Sequence, residues 1–297
     1  IAWREAWKYR SRAYRYCLLD IGHASEALIL AARWLNCQAT VIVDFDDDAI
    51  AAACGLAADE WPLLLIALTG LPAEKRAAPP EEWYGGSPNP LSPEVLDYPL
   101  ITQMHQCSKE GGAALQNCAQ PTDRPVLKDF ATIARRRRSA LDFRGGGETI
   151  ALDQYSTLLD QAAGARFIQL YSYVHRVRGL ERGLYRGTTL LKTGDQRLMA
   201  AALSLGQDLA GNSCVTFSMV ADLERAFRDF GNRGYRYVHF EAGAIGQRLY
   251  LASEAMGFGS TGIGAFYDDD VHAYLGVKHV IYHFACGYPV EDARLTK

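Results

Sequence analysis

The chain writes one passage twice. Residues Arg12–Phe45 read RAYRYCLLDIGHASEALILAARWLNCQATVIVDF, and residues Arg233–Phe266 read RGYRYVHFEAGAIGQRLYLASEAMGFGSTGIGAF. At a constant offset 11 of 34 positions are identical, and pairs such as Asp20 with Glu241 or Leu35 with Met256 are conservative. Both copies continue into an acidic triplet, Asp46–Asp48 or Asp268–Asp270. Each then gives an apolar segment closed by Gly-x-Pro. A fixed internal period constrains the fold more than any composition figure, because each copy must bury its apolar face against a neighbour. Two related units are expected.

Each copy predicts a long helix, over Tyr14–Leu35 and Tyr235–Met256, with Leu, Ala and Ile on several faces. Such apolar girth suits burial in an interface. A short strand or turn follows, then an acidic helix start. Aspartates there cap free amides and suit the helix dipole, which is preferred over metal binding because no recognisable loop supplies further oxygen ligands. The copies differ at one place. Gly262 and Gly264 of the second face Val41 and Val43 of the first. Glycine lets main chain approach a flat ligand without interference from Cβ.

The second copy has a front half that the first lacks. Helices are expected over Leu127–Arg138, over Leu152–Ala163 and within DQRLMAAALSLGQ, and again over DLERAFRDFG, with Asp222 as its cap and Gly231 as its stop. Strands are expected at FIQLYSYVHRV from Phe167, after the turn GLERGLYR, and over Cys214–Ala221. Interleaved helices and alternating strands make this α+β with a largely antiparallel sheet. Leu71–Glu94, rich in Pro, Gly and charge, reads as a linker, and a helical stretch runs from Val95 to about Ser108. The apolar run WPLLLIALTGLPA from Trp61 reads as a buried strand with its exit turn. The division is therefore 1–72 for the back half of a first unit, 73–125 for the linker and connecting helix, and 126–297 for a complete second unit.

The bulk figures exclude some classes. A net charge of -3 offers no field for nucleic acid or an acidic membrane. No apolar run approaches the ~20 residues of a membrane helix. Seven cysteines without a CxxC pair suit reduced thiols and a cytoplasmic setting. The chain starts at Ile1 within a helical pattern and reads as part of a longer protein.

Few residues carry chemistry. Arg135–Arg138 followed by Ser139 place four guanidinium groups and a hydroxyl at a helix end. Arginine forks match phosphate oxygens bidentately, although such a run is also a common solvated patch. Arg294 and Lys297 follow the final strand. Lys192, Tyr185, Tyr267 and His272 are weaker pocket candidates, and His175 reads as structural. No catalytic nucleophile, triad or metal site is recognisable.

Taken in order, RRRRSALDF, YVHRVRGLERGLYR, YRYVHFEAGAIGQRLYLASEAMGFGSTGIGAFYDDDVHAYLGV and YHFACGYPVEDARL resemble the nitroreductase-like flavoproteins. The likeness is nearest to the SagB-type dehydrogenase branch, in the form with two fused units. Residues 1–72 resemble the back half of the first unit. The resemblance implies an α+β nitroreductase-like fold that dimerises through long central helices, with FMN (flavin mononucleotide) at the interface. Arg137, Arg138 and Ser139 match the phosphate and ribityl motif. Gly262, Ile263 and Gly264 match the segment whose backbone lies against the isoalloxazine ring, and Arg294 matches a late basic residue at the phosphate. Leu141 stands where many relatives carry a basic residue.

Fusion of two units implies an intramolecular pseudo-dimer, compatible with further oligomerisation, in which one copy has lost its site. One flavin per chain is expected, with a small-molecule or peptide substrate and NAD(P)H as candidate donor. SagB-type enzymes oxidise azoline rings in peptides, and that substrate is one option. The rival reading is a pseudoenzyme, flavin-binding or flavin-less, that acts as a scaffold.

Overall fold

A computed structural model describes residues 2–42, 45–70, 94–111 and 127–293. In chain order the elements are α1 (Trp3–Tyr9), α2 (Ala13–Trp34), β1 (Gln38–Ile42), α3 (Asp47–Ala53), β2 (Leu65–Thr69) and α4 (Pro99–Cys107). Next come α5 (Phe130–Arg136), α6 (Leu152–Asp160), β3 (Ile168–Val174), β4 (Gly183–Arg186), β5 (Thr189–Thr193), α7 (Arg197–Leu203) and α8 (Asp208–Asn212). The chain closes with β6 (Val215–Ala221), α9 (Leu223–Phe230), α10 (Gly234–Ala255), β7 (Gly259–Ile263), α11 (Asp268–Leu275) and β8 (Val280–Gly287). Two compact units result. One comprises 1–126 with 224–240, and the other 127–223 with 241–297.

The larger unit is built on a six-stranded sheet in the order β5-β4-β3-β6-β8-β7, antiparallel at every pairing. This is the α+β, antiparallel architecture that the alternating apolar segments predict. Strands β3, β6 and β8 lie centrally and are apolar on both faces. All eight residues of β8 are buried, as expected of a strand covered on both sides. Phe143, Tyr173, Leu184, Ile263, Phe266 and Val280 belong to one core cluster. β7, the glycine strand, is the edge of this sheet.

The smaller unit pairs only β1 with β2, antiparallel, from Gln38↔Thr69 to Ile42↔Leu65. Here the expectation of a buried strand is corrected. Leu65 and Ile66 are half-buried, and Ala67–Thr69 are exposed. Apolar composition did not distinguish a central strand from one in a two-stranded ribbon. Residues 71–93, with the linker, lie outside the described residues.

The repeat is carried into the backbone. β1 and β7 begin at Gln38 and Gly259, and α3 and α11 begin at Asp47 and Asp268, all at the repeat's own spacing. Both long helices end in a left-handed residue, Asn36 (φ 59°) and Gly257 (φ 82°). Asp46 caps α3 as foreseen, its carboxylate accepting from the amides of Asp48 at 2.9 Å and Ala49 at 3.0 Å. Tyr14 and Tyr235, equivalent residues of the two copies, stack at 6.4 Å with their rings within 2° of parallel.

Capping does not describe Asp47. Its side chain is 1% exposed and pairs with Arg233 and Arg236, both buried near the start of α10. Arg236 Nη1 donates to Asp47 Oδ2 at 2.7 Å, and Arg236 Nε donates to Ser108 Oγ at 2.9 Å. Ser108 also hydrogen-bonds the Tyr14 hydroxyl at 2.8 Å. One carboxylate thus ties α3, α4 and the head of α10 together. Breaking a buried pair by removing one partner leaves an uncompensated charge and costs about 3–5 kcal/mol. Asp47→Asn should therefore lower the unfolding free energy by about that amount in a urea titration. Asp48→Asn, at a solvent-exposed carboxylate paired with Lys109, should cost under about 1 kcal/mol.

Two buried histidines predict an acid limb. Burial pushes the imidazoles of His175 and His239 from the ordinary 6.5 down to about 3, a hydrogen bond to a backbone carbonyl only partly opposing it. Below pH 6.5 the unfolded chain gains protons that the folded chain refuses, so the stability these groups contribute falls as pH falls toward 3. Unfolding midpoints should be level above about pH 7 and decline from about 6.5. His239→Leu, which copies Leu18 of the first repeat, should flatten that decline.

Candidate functional site

Helix α5 ends inside the arginine run, so the basic groups sit at the negative end of its dipole. They then part company. Arg136 pairs with Glu254 at 3.4 Å. Arg138 folds one arm back, donating Nη1 to the carbonyls of Arg135 and Arg137 at 2.8 Å each. Arg137 lies over the Tyr250 ring, 4.8 Å from its centroid. Among the described residues neither Arg137 nor Arg138 has a carboxylate partner.

The segment after the run lies along the free edge of β7. Ser139 bridges Ser260 in parallel, and the Ala140 amide donates to the Ser260 carbonyl at 2.9 Å. Tyr250, on α10, completes the junction. Its hydroxyl is 2.9 Å from Ser139 Oγ and accepts from the Gly262 amide at 3.0 Å. Two segments about 120 residues apart in sequence are therefore joined through one phenol. Its ring is fixed edge-on against Phe284, centroids 4.9 Å apart.

A cleft of about 280 Å3 opens beside this junction, lined by Arg138, Ser139, Leu141, Pro289 and Val290, with Glu254 and Asp292 also on its wall. The final described segment is pinned there. Val290 N donates to Asp142 O at 3.0 Å, and Arg144 Nε to Pro289 O at 3.1 Å. Leu141, at the place of the missing basic residue, is half exposed. Arg294, the expected late basic residue, lies outside the described residues, as does Val43.

Packing gives Gly262 a reason of its own. A Cβ built there would overlap the Tyr282 hydroxyl and lie 2.7 Å from Tyr282 Cζ. The space freed by the missing side chain is filled by a tyrosine from β8, so packing alone demands glycine here. The Ile263 side chain is buried in the core cluster beneath the strand. Any approach of a ligand to this segment is through its main chain.

Tyr250 was missed by sequence reasoning. The repeat held the signal, since its equivalents in the first copy are apolar: Ile29 for Tyr250 and Ala39 for Ser260, beside Val41 for Gly262. The weaker candidates serve structure. Lys192 donates to the Tyr274 carbonyl at 2.8 Å and lies 3.7 Å over that ring. Tyr185 donates to Glu181 O, and His272 Nε2 accepts from the Val280 amide. His175, fully buried, contacts Ala210 O at 3.1 Å, in keeping with its structural reading. No group of three His, Cys, Asp or Glu able to hold a metal occurs among the described residues.

The donor set suits a phosphate ester. Arg138 and Ser139 line the cleft and Arg137 lies beside it over Tyr250, with no carboxylate partner for either arginine among the described residues, while Glu254 on the wall pairs with Arg136. Charge-assisted bonds from such forks are the strong kind.

Comparison with known proteins bears on this site. Residues 147–288 match the family model described as the nitroreductase family. The match covers the six-stranded sheet, Tyr250 and the glycine strand, and begins just after the arginine run. A provisionally named nitroreductase of Methanocaldococcus jannaschii is 32% identical over 124 residues, covering 39% of this chain and 63% of that protein. The chain thus spans less than two-thirds of that relative. A crystal structure of a likewise provisionally named nitroreductase from Anabaena variabilis ATCC 29413 aligns with a TM-score of 0.77 at 24% identity. It covers 98% of this chain and 68% of that one. The nitroreductase-like α+β fold follows. No helix is long and apolar enough to cross a membrane among the described residues.

Because Tyr282 fills the space at Gly262, Gly262→Ala should destabilise the protein by about 1–3 kcal/mol through overpacking. Tyr282→Phe removes the overlapping hydroxyl and should restore part of that loss. Denaturation midpoints of the two single variants and the double variant test this. An additive double would mean that the tyrosine is not what the alanine meets.

Proposed function

We propose that this chain is an FMN-dependent oxidoreductase carrying one flavin per two-unit chain. The observation that carries the reading is the junction at β7. The arginine run, the serine and the glycine strand, far apart in sequence, meet through Tyr250 beside a cleft lined by Ser139 and by Arg138, which has no carboxylate partner among the described residues. Arg137, Arg138 and Ser139 hold the phosphate, with Arg294 as a further cation. The main chain of Gly262, Ile263 and Gly264 lies against the ring. FMN supplies hydride transfer at its ring nitrogen when bound. The protein neutralises a dianion, orients the ring and leaves one face open to a small-molecule or peptide substrate. NAD(P)H is the candidate donor and the cytoplasm the setting. The SagB-type branch is proposed on the motifs quoted above.

The tandem pseudo-dimer is proposed with it. Residues 1–72 form the back half of a degenerate unit, 73–125 a linker and 126–297 the flavin-binding unit. Two contacts support this reading. Tyr14 stacks on its own repeat equivalent, as residues do at a two-fold axis. Asp47 of the first copy is held by Arg233 and Arg236 at the head of the second. A solved architecture that aligns over 98% of the chain accords with both halves belonging to one design.

A scaffold without flavin is the second reading. It draws on Arg138 serving as a helix cap and on Tyr282 filling the space at Gly262. One measurement separates the two. Purified protein should be yellow and release close to one FMN per chain on denaturation, read by absorbance. Arg137→Ala should weaken FMN binding about tenfold or more, as expected from the 1.5–3 kcal/mol of a charge-assisted hydrogen bond. Gly264→Val should abolish binding or displace the ring. Two flavins per chain, or full occupancy in Gly264→Val, would refute the retired-site reading. Colourless protein that ignores added FMN favours the scaffold.

A further inference from the structure

The hydroxyl of Tyr250 joins a strand amide to a serine hydroxyl. The Gly262 amide can only donate, so the phenol oxygen accepts there, at 3.0 Å. Ser139 Oγ lies 2.9 Å away, and either hydroxyl can donate in that contact. When Tyr250 donates to Ser139, the serine's own proton is released from that contact. Ser139 lines the cleft with Arg138. Tyr250 itself is 8% exposed and has little freedom to turn. Phe284 meets its ring edge-on, and Arg137 covers its face.

We infer that Tyr250 is a positioning residue that, by donating to Ser139, sets Ser139 as a hydrogen-bond donor to an oxyanion held in the cleft beside Arg138. The chain runs from Gly262 N–H to Tyr250 Oη–H to Ser139 Oγ–H to the anion. Each bond in such a series polarises the next. The same ring also holds Arg137 through its π face, so one side chain orders both the neutral and a charged donor. No group changes its covalent state. The inference rests on the flavin reading for its physiological anion, the phosphate of FMN. It assigns a role to a residue that sequence motifs had not marked.

The test compares FMN with riboflavin, which keeps the ring and ribityl chain and lacks the phosphate. Dissociation constants for both are measured by quenching of flavin fluorescence on wild type, Tyr250→Phe, Ser139→Ala and the double variant, with thermal melts as a fold control. Tyr250→Phe keeps the ring over Arg137 and removes only the hydroxyl. It should weaken FMN binding about tenfold and leave riboflavin unchanged. Ser139→Ala should do the same, and the double variant should be no worse than Ser139→Ala alone, since residues acting in series are not additive. Unchanged FMN affinity in Tyr250→Phe, an equal loss for riboflavin, or additive losses would each overturn the role of Tyr250 while leaving the flavin reading intact. Wild-type protein that binds neither ligand would remove the flavin reading and this inference together.

Discussion

A single buried carboxylate holds the head of α10, one of the two long helices of the repeat. Asp47 lies between Arg233 and Arg236, where solvent does not reach it. Two guanidinium groups face one carboxylate, so the cluster keeps an excess of positive charge in a low-dielectric setting. Such an arrangement is weak evidence for stability in itself and stronger evidence for specificity, because any other register of α10 would strand two buried cations. Arg236 is also held by Ser108, which is itself tied to Tyr14. The head of α10 is thus anchored by ions and hydroxyls, where slipping by one residue is costly.

The consequence is felt along the same helix. Arg236 and Tyr250 lie 14 residues apart in the sequence of α10. A second set of polar contacts fixes this later part, with the Tyr250 phenol held between Ser139 and the Gly262 amide. On the next turn Ser253 reaches Cys286 of β8 at 3.6 Å, and Glu254 reaches Arg136. In the body of the helix Ile245, Leu249 and Leu251 are buried, while Glu241 accepts from the amides of Arg166 at 2.6 Å and Phe167 at 2.7 Å and Arg248 donates to the Gln161 carbonyl at 2.9 Å. Apolar packing would tolerate rotation of the helix more readily than the hydrogen bonds of Tyr250 do. The polar contacts spaced along the helix set the register, and the apolar residues between them supply the burial.

This division of labour explains what could be read from the sequence. The two long helices, the order of strands and the antiparallel sheet were legible because hydrophobic period and turn residues are local signals. The gathering of Ser139 and Gly262 was legible only through resemblance to a family, since about 120 residues separate them. Three things were hidden. Burial of β2 was overread, because a run of leucines does not say how many neighbours a strand will have. The role of Asp47 was masked by a sound local rule: aspartates cap helices, and Asp46 does so, yet the next residue points inward to partners 186 and 189 residues away. The packing reason for Gly262 had no local signal, since the group that fills its space, Tyr282, lies on another strand.

The differences between the copies gain meaning from this geometry. The first copy lacks more than its glycines. Ile29 replaces the phenol, Ala39 replaces a hydroxyl-bearing residue on the strand, and Val41 takes the place of Gly262. These positions lie on different elements, and in the second copy Tyr250 and Gly262 are directly bonded. An isoleucine cannot accept from a strand amide, so a glycine beside it would gain nothing from that partner. The substitution Val41→Gly alone would therefore leave the amide without its phenol, and the Arg137–Ser139 segment has no counterpart among residues 1–72 for such a phenol to reach. Retention of Tyr14, Arg15 and Tyr16 beside Tyr235, Arg236 and Tyr237 marks the other half of the pattern. The head of the helix, where Tyr14 stacks on Tyr235, is kept in both copies, and the part that serves the cleft is kept in one.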